Sequence, residues 1–339
     1  MPYAALSSTS GSRPSTKESR NCLTFRNPSS NIPTGLEGGA GAMIIEKSGK
    51  IVEGLHALAD IDLPAYLVTA ETPALFDAGI TFMGPVYLKE IRRILGDENR
   101  PRWLLITHAH FDHSGTAPYL KRCIPGLKVA ASRLASEIFK KPNAVTLIQS
   151  LSRDFEEQYK TLFGSEDIRF DSLEVDRILE DGETVDLGGG WTFRVIATPG
   201  HTRDGLSFYF PNIKALICGE AAGVPDSNFK IHPEFLASYK DYVASLEKLA
   251  ALDVEIIMLS HHYVLTGAEA RSYLKKSLES TFAFSDRIRS CLAEAGGNQE
   301  SVVKRIFKED HQDTGVIQQA ERPYLINLAA KVKAVAENK

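Results

Sequence analysis

Cysteines, basic charge and long apolar runs are all scarce in this sequence. Only four of its 339 residues are cysteines, and they are widely scattered, with no C-x-x-C pair. This pattern excludes a dense disulfide framework and is typical of a reducing compartment, so we expect a cytoplasmic protein. No apolar run approaches the roughly 18 residues of a membrane span, and the first residues hold no compact apolar segment of signal-peptide type.

The charge balance is slightly acidic, with a net charge of −4 and a pI of about 6.2. A nucleic-acid-binding protein usually carries a basic excess, so we expect neither nucleic acid nor membrane as a partner. Hydrophobic residues make up 43% of the chain and charged residues 24%, as in ordinary globular proteins. The length is enough to bury a sizeable core in one large domain, or in a domain with an appendage.

Residues 1–42 are rich in Ser, Gly, Thr, Pro and Asn and have almost no apolar periodicity. Such a segment cannot bury enough apolar surface to offset the entropy lost on ordering, so we predict that it is disordered. Its excess of basic over acidic residues would suit a targeting tail. We favour a second interpretation, in which it lies upstream of a true start at Met43, because sequence typical of a fold begins there.

Four side chains able to bind a metal fall within the six residues from His108 to His113, directly after an apolar run. An extended backbone would place His108 and His110 on the same side, because side chains alternate with period 2. A turn at Phe111 would then direct Asp112 and His113 towards a second ion. Imidazole and carboxylate together suit zinc, iron or manganese. The alternative is a polar surface loop whose histidines are accidental.

Short β-type runs separated by Gly, Asp and Pro fill two stretches of the chain, and each stretch also contains helical patterns. We therefore predict an α/β domain over 43–266, with two sheets back to back and helices outside. Polar motifs follow the predicted strands, as expected where α/β folds place their chemistry. These motifs are Asp77-Ala78-Gly79, His108–His113, Thr198–Thr202, Gly219–Gly223 and Ser260-His261-His262.

Helical periodicity predicts a helical C-terminal extension over 267–339, whose first helix spans Gly267–Ala295 and stops at Gly296-Gly297. Further helices are predicted over 143–163 and 233–252. The helix over 143–163 is either an insertion that shapes a substrate site or plain scaffold. Three histidines lie away from the strand-end motifs, and we interpret them as surface or helix-cap residues; they are His56, His232 and His311.

With these motifs in place, the chain from Tyr66 to Gly267 resembles the metallo-β-lactamase superfamily. The resemblance rests on Phe76-Asp77-Ala78-Gly79, the HxHxDH motif at His108–His113, Gly200-His201-Thr202, the acidic residue after Gly219, and His261. It implies an αββα sandwich with two divalent metal ions at one edge. Within the superfamily the chain is similar to glyoxalase II-like hydrolases, and nearest to the 2-aminobenzoylacetyl-CoA thioesterase type of the quinolone-signal response.

The resemblance also implies a ligand set for two ions, with zinc as the first expectation and iron or manganese as alternatives. Asp77 would accept the free ring N–H of a ligating histidine and fix its tautomer; its alternative role is a turn cap. The implied ligands are His108, His110 and His201 for one ion, Asp112, His113 and His261 for the other, and Glu220 bridging both.

Two of these assignments depart from the superfamily pattern. Relatives usually have Asp where this chain has Glu220, and the extra methylene lengthens the arm. The alternative is that Glu220 points away and the second ion binds weakly. Relatives also read Pro-Gly-His-Gly where this chain reads Leu259-Ser260-His261-His262. Alignment register favours His261 over His262 as the ligand.

The expected activity is hydrolysis by a metal-bound hydroxide, with Asp112 and Glu220 as catalytic residues as well as ligands. No separate general acid is evident, and a thiolate, with a thiol pKa of about 8.5, leaves without one. We therefore expect the substrate to be a small-molecule thioester, acyl-CoA-like, or an activated ester. Whether the protein forms a homodimer is left open. The alternatives are a phosphodiesterase, ribonuclease or lactonase on the same metals, a redox protein, or a weakly active regulatory binding protein.

Overall fold

The computed structural model describes residues 43–96, 100–317 and 319–337. The prediction of disorder over 1–42 therefore lies outside the described residues. The strands are β1 (Met43–Ile45), β2 (Gly49–Val52), β3 (Leu55–Leu58), β4 (Ala65–Val68), β5 (Ala74–Phe76), β6 (Trp103–Leu105), β7 (Lys128–Ala131), β8 (Arg177–Ile178), β9 (Thr184–Asp186), β10 (Thr192–Ala197), β11 (Leu206–Phe210), β12 (Ala215–Ile217), β13 (Val224–Pro225), β14 (Ile231–His232), β15 (Ile256–Met258) and β16 (Val264–Thr266).

The helices alternate with these strands in the first half and dominate the C-terminal part. They are α1 (Gly84–Leu95), α2 (Phe111–Ser114), α3 (Ala117–Cys123), α4 (Arg133–Ile138), α5 (Pro142–Glu156), α6 (Lys160–Phe163), α7 (Tyr239–Ala250), α8 (Ala268–Glu294), α9 (Gln299–Phe307) and α10 (Glu321–Glu337).

Two seven-stranded sheets form the centre of the molecule. One has the order β2-β3-β4-β5-β6-β7-β8 and the other the order β1-β16-β15-β12-β11-β10-β9. Successive residues of a strand point to opposite faces, so Phe76 is buried between the sheets while Leu75 packs on the outer side with Tyr87 and Ile91 of α1. Helices α7 to α10 contribute to the core outside the second sheet. This arrangement confirms the predicted αββα sandwich.

The carboxyl ends of the functional strands meet at one edge. In the first sheet β5 runs parallel to β6. In the second, β12 is parallel to β15, and β10 has the same direction as β12 because each is antiparallel to β11. Residues that follow β5, β6, β10, β12 and β15 can therefore converge on a single site.

Several predicted elements differ from the observed ones. The predicted helix over 143–163 is divided into α5 and α6. The predicted helix over 233–252 begins only at Tyr239, where the side chain of Ser238 caps it by accepting the Asp241 N–H. The long helix agrees closely, as α8, while the division of the chain at 266/267 stays a prediction. Among the described helices, none has the length and apolar character needed to cross a bilayer.

Candidate metal centre

The motif from His108 to His113 changes conformation at its centre. His110 is extended, with φ −70° and ψ 154°, and α2 begins immediately after it, at Phe111. The extended part brings His108 Nε2 within 3.1 Å of His110 Nδ1. The helical turn carries Asp112 and His113 towards a different point, where Asp112 Oδ2 lies 4.0 Å from His113 Nε2. The predicted division of the motif into two directions is what the backbone shows.

His201 completes the first group of donors. Its Nε2 lies 3.0 Å from His110 Nδ1 and 3.4 Å from Glu220 Oε2. The loop that carries it packs tightly, because a Cβ added to Gly200 would lie 2.3 Å from the Tyr242 backbone. Gly200 also has φ +136°, a conformation that L side chains rarely adopt. Glycine is therefore required for the approach that places His201.

Glu220 and His261 complete the second group. Glu220 Oε1 lies 3.2 Å from His113 Nε2 and 3.3 Å from His261 Nε2. His261 Nε2 is 3.8 Å from Asp112 Oδ2. Since its other oxygen faces His201, Glu220 points into the cluster and touches both groups. The donor atoms fall into two sets, each within 4.8 Å: His108, His110, His201 and Glu220, and Asp112, His113, Glu220 and His261.

Four of the clustered histidines have a partner at their second ring nitrogen, and for His108 that partner is Thr107 Oγ1, 3.0 Å from Nδ1. Nδ1 of His113 lies 3.0 Å from Asp77 Oδ2. Nδ1 of His201 lies 2.7 Å from the carbonyl oxygen of Glu234, and Nδ1 of His261 lies 2.9 Å from that of Asp62. An N–H on Nδ1 in each case leaves the Nε2 lone pair facing the cluster. Asp77 thus occupies the position expected of it.

Burial and neighbouring charge divide the histidines into two kinds. Burial, with neighbouring imidazoles, lowers the pKa of His108 well below its ordinary value. Burial, with His201 beside it, lowers the pKa of His110 to about 4. Burial also opposes protonation of His113, but the charge of Asp112 and adjacent carboxylates outweighs it and raises the pKa of His113. The first two rings are therefore neutral at pH 7, which is the form that binds a metal.

The donor set fits divalent cations. His108 Nε2 lies 3.1 Å and His201 Nε2 lies 3.0 Å from His110 Nδ1. A neutral His110 has at most one hydrogen on that nitrogen to share between them. Buried lone pairs that face one another repel unless a cation lies among them. Imidazole and carboxylate together match zinc, iron or manganese. The residues brought together here form two groups that could each hold a metal ion.

His262 lies beside the centre but belongs to neither group of donors. Its Nδ1 is 2.8 Å from Asp62 Oδ1, and its backbone has φ 68°, in the left-handed region. A non-glycine residue there stores strain and is uncommon outside functional sites and turns. Of the two candidates considered for the last histidine, the structure brings His261 to the cluster and turns His262 towards Asp62.

The interpretation of His232 and His311 as surface or helix-cap residues needs correction. His232 is half-buried on β14, with Nε2 2.9 Å from Asp226 Oδ2, and both line a cavity that Glu220 also lines. His311 is buried and its ring lies against Phe307 and Tyr324. Neither is a surface or helix-cap residue. Sequence reasoning also overlooked the partners Asp62, Glu234 and Asp204, the last of which accepts the Ala109 N–H.

A model of the Metallo-beta-lactamase superfamily matches residues 64–261, more than half of the chain. The chain therefore belongs to the metallo-beta-lactamase superfamily. Curated relatives include a glyoxylase B2 of Dictyostelium discoideum, 30% identical over 41% of this chain and 41% of the relative. A hydroxyacylglutathione hydrolase of Acidiphilium cryptum is 28% identical over 56% of this chain and 63% of the relative. The chain thus spans less than two thirds of either relative.

An acyl-coenzyme A thioesterase of Gallus gallus is 24% identical over 64% of this chain and 78% of the relative. Among solved structures, a metallo-beta-lactamase variant of Cronobacter sakazakii superposes with a TM-score of 0.54 at 22% identity. That match covers 73% of this chain and 98% of the other. At this identity the superposition shows a shared fold and nothing more specific.

Proposed function

We propose that the protein is a dinuclear metal-dependent hydrolase that cleaves a thioester or an activated ester of a small molecule. The observation that carries the proposal is the convergence of two four-donor groups on the carboxylate of Glu220. A hydrolase of this kind needs ligands for two ions within reach of one substrate carbonyl. The names of the hydrolase and thioesterase relatives support the same reaction class.

Each predicted residue has a place in this proposal. His108, His110 and His201 would hold one ion, Asp112, His113 and His261 the other, and Glu220 both. Divalent ions bound here supply Lewis acidity and lower the pKa of water. Asp112 would accept the proton of the attacking water; in support, its carboxylate belongs to the second group and lines the cavity. Zinc is the first choice and iron or manganese the alternatives.

The cavity beside the centre suits a small, mainly apolar acyl group. Its empty volume of about 790 Å³ includes the solvent at its open mouth. Apolar side chains from distant parts of the sequence line the cavity, together with Asp112, Glu220 and His261. The apolar lining includes Leu63, Ile80, Phe111, Phe155, Ile317 and Tyr324.

No lysine or arginine is among the described residues that line this cavity. A phosphodiester would therefore have no lysine or arginine there to hold it, whereas an uncharged acyl group requires none. A thioester adds the advantage that its leaving thiolate, with a thiol pKa of about 8.5, departs without a strong acid. These features favour thioesters, then activated esters and lactones, over phosphodiesters and amides.

The deciding experiment combines metal analysis with a substrate panel. Purified protein is assayed against acyl-CoAs of increasing chain length, lactones and bis-(p-nitrophenyl) phosphate, and bound metal is measured alongside. We expect two equivalents of metal per chain and turnover of thioesters that chelation abolishes. His110→Ala should abolish turnover, whereas His56→Ala, outside both donor groups, should not. Metal-loaded protein that hydrolyses only the phosphodiester, or nothing, contradicts the proposal.

A further inference from the structure

Helix α10 buries a lysine on its inner face. Lys331 is only 3% exposed and lies among Leu328, Val332 and Val335, which are buried as well. Its Nζ is 2.6 Å from Oε1 of Glu234, whose side chain is also buried. Lysine is almost never fully buried unless it is paired. The carboxylate of Glu234 therefore satisfies the buried charge on a face of α10 whose apolar residues pack in the core.

Glu234 connects that ion pair to the metal centre through its backbone. Its carbonyl oxygen accepts the hydrogen bond from His201 Nδ1, over 2.7 Å. Its N–H donates to the hydroxyl of Tyr242, and that hydroxyl donates to the carbonyl oxygen of Glu220. Glu234 thus contacts α10 with its side chain and His201 with its carbonyl oxygen, and it reaches the Glu220 backbone through the Tyr242 hydroxyl. The ion pair and the hydrogen bond to His201 thus connect Lys331 to the donor groups without a gap.

The segment that carries Glu234 has no secondary-structure ladder of its own. It lies between β14 and α7, where neither helix nor strand is formed. Its backbone bonds go instead to the His201 loop, since the N–H of Ala237 donates to the carbonyls of Gly200 and His201. A carbonyl that fixes a histidine tautomer must itself be held in place. In this segment the buried ion pair with Lys331 adds a side-chain constraint to those backbone bonds.

We propose that Lys331 is a positioning residue for the metal centre. It acts through Glu234 to hold His201 with its Nε2 lone pair facing the first donor group, so that docking of α10 and metal binding stabilise each other. This inference rests on the proposed metal centre. Coupling between two sites is reciprocal: if docked α10 raises metal affinity, bound metal must stabilise docked α10 by the same factor.

The first test compares Lys331→Met with Lys333→Met. Lys333 is on the same helix but is only half-buried and is paired with Glu337, so its replacement matches the chemical change without touching Glu234. We expect Lys331→Met to weaken binding of Zn²⁺ by about 10- to 100-fold, as loss of an outer partner of a ligand does. The visible spectrum of the Co²⁺-loaded variant should also change, and that of Lys333→Met should not. Folding of each variant is checked by circular dichroism.

The second test uses the unaltered chain, so it holds even if Lys331→Met fails to fold. Hydrogen exchange of the backbone amides in 321–337 is followed with and without Zn²⁺. The inference predicts slower exchange in the metal-loaded protein. If the protein binds Zn²⁺ but exchange of α10 is unchanged, or if a folded Lys331→Met has unaltered affinity and Co²⁺ spectrum, this inference is wrong. If the unaltered chain binds no metal at all, the proposed metal centre itself is wrong.

Discussion

Asp77 Oδ2 lies 3.0 Å from Nδ1 of His113, and the same carboxylate accepts hydrogen bonds from the amide and the hydroxyl of Thr107. Asp77 joins the ends of β5 and β6 and orients a ring of the cluster at the same time. Its backbone has φ 59°, a region that Asp and Asn tolerate better than most residues. Asn is therefore the substitution that tests the carboxylate without disturbing the backbone.

We predict that Asp77→Asn weakens metal binding by about 10- to 100-fold, because an amide cannot accept from all three donors. A chromophoric chelator in competition with the protein measures the affinity. Asp186→Asn is the matched control, because Asp186 lies at the exposed end of β9 and its side chain accepts the Gly188 N–H. Equal affinities for the two variants would show that Asp77 is only a turn cap.

The adjacent histidines should differ sharply in their effect. His261 Nε2 is 3.3 Å from Glu220 Oε1, whereas His262 Nδ1 is engaged by Asp62. We predict that His261→Ala lowers the bound metal from two equivalents towards one, because the second group loses a donor. His262→Ala should keep both equivalents. Elemental analysis after dialysis against excess Zn²⁺ separates the two outcomes, and metal loss confined to His262→Ala would overturn the assignment.

Strand-end motifs were predictable because they depend on local sequence and on parallel strand direction alone. The motif from His108 to His113, His201, Glu220 and His261 each follow a strand, and parallel strands bring their carboxyl ends to one edge. The orienting partners were not predictable in the same way. Asp62 supports His261 across 199 positions of sequence with a backbone carbonyl, and every residue has such a carbonyl.

The helix predicted over 233–252 begins only at Tyr239, and the late start has a related cause. Periodicity would continue the helix back to Pro233, but the N–H groups of Ala237 and Ser238 are bonded to the carbonyl of Gly200. Tertiary contacts with the His201 loop thus replace helical hydrogen bonds in that segment. His311 was misread for a similar reason, since its environment of Phe307 and Tyr324 comes from the packing of separate helices.

The length of the Glu220 side chain should matter. Its Oε1 reaches His113 and His261 at 3.2 and 3.3 Å, while Oε2 reaches His201 at 3.4 Å. Asp at this position would be one methylene too short to reach both groups from the same backbone. We predict that Glu220→Asp lowers metal occupancy and reduces turnover about a hundredfold, as a 1 Å misplacement can.

Glu220→Gln is the control, because it keeps the length and removes the charge. We expect it to lose metal as well, since an amide neutralises less cationic charge than a carboxylate. Occupancy and turnover are measured for all three proteins under the same Zn²⁺ concentration. Wild-type occupancy and rate in Glu220→Asp would show that the backbone adjusts and that arm length is not decisive.

The contact between the sheets depends on an aromatic cluster centred on Phe76. Its ring lies 5.5 Å from Phe193, 5.2 Å from Phe208 and 5.5 Å from Phe210, in edge-to-face geometry. Phe76 is fully buried and immediately precedes Asp77. We predict that Phe76→Ala lowers the free energy of unfolding by about 3–5 kcal/mol, through lost transfer energy and the cavity left behind.

Urea unfolding followed by circular dichroism, in the presence of a chelator, measures this loss without the contribution of bound metal. Phe282→Ala is the matched control: Phe282 lies on α8 and is 41% exposed, so its removal should change the free energy by no more than about 0.5 kcal/mol. A loss of 1 kcal/mol or less in Phe76→Ala would mean that the sheets close over the cavity. The cluster would then fill space between the sheets without fixing how they pack.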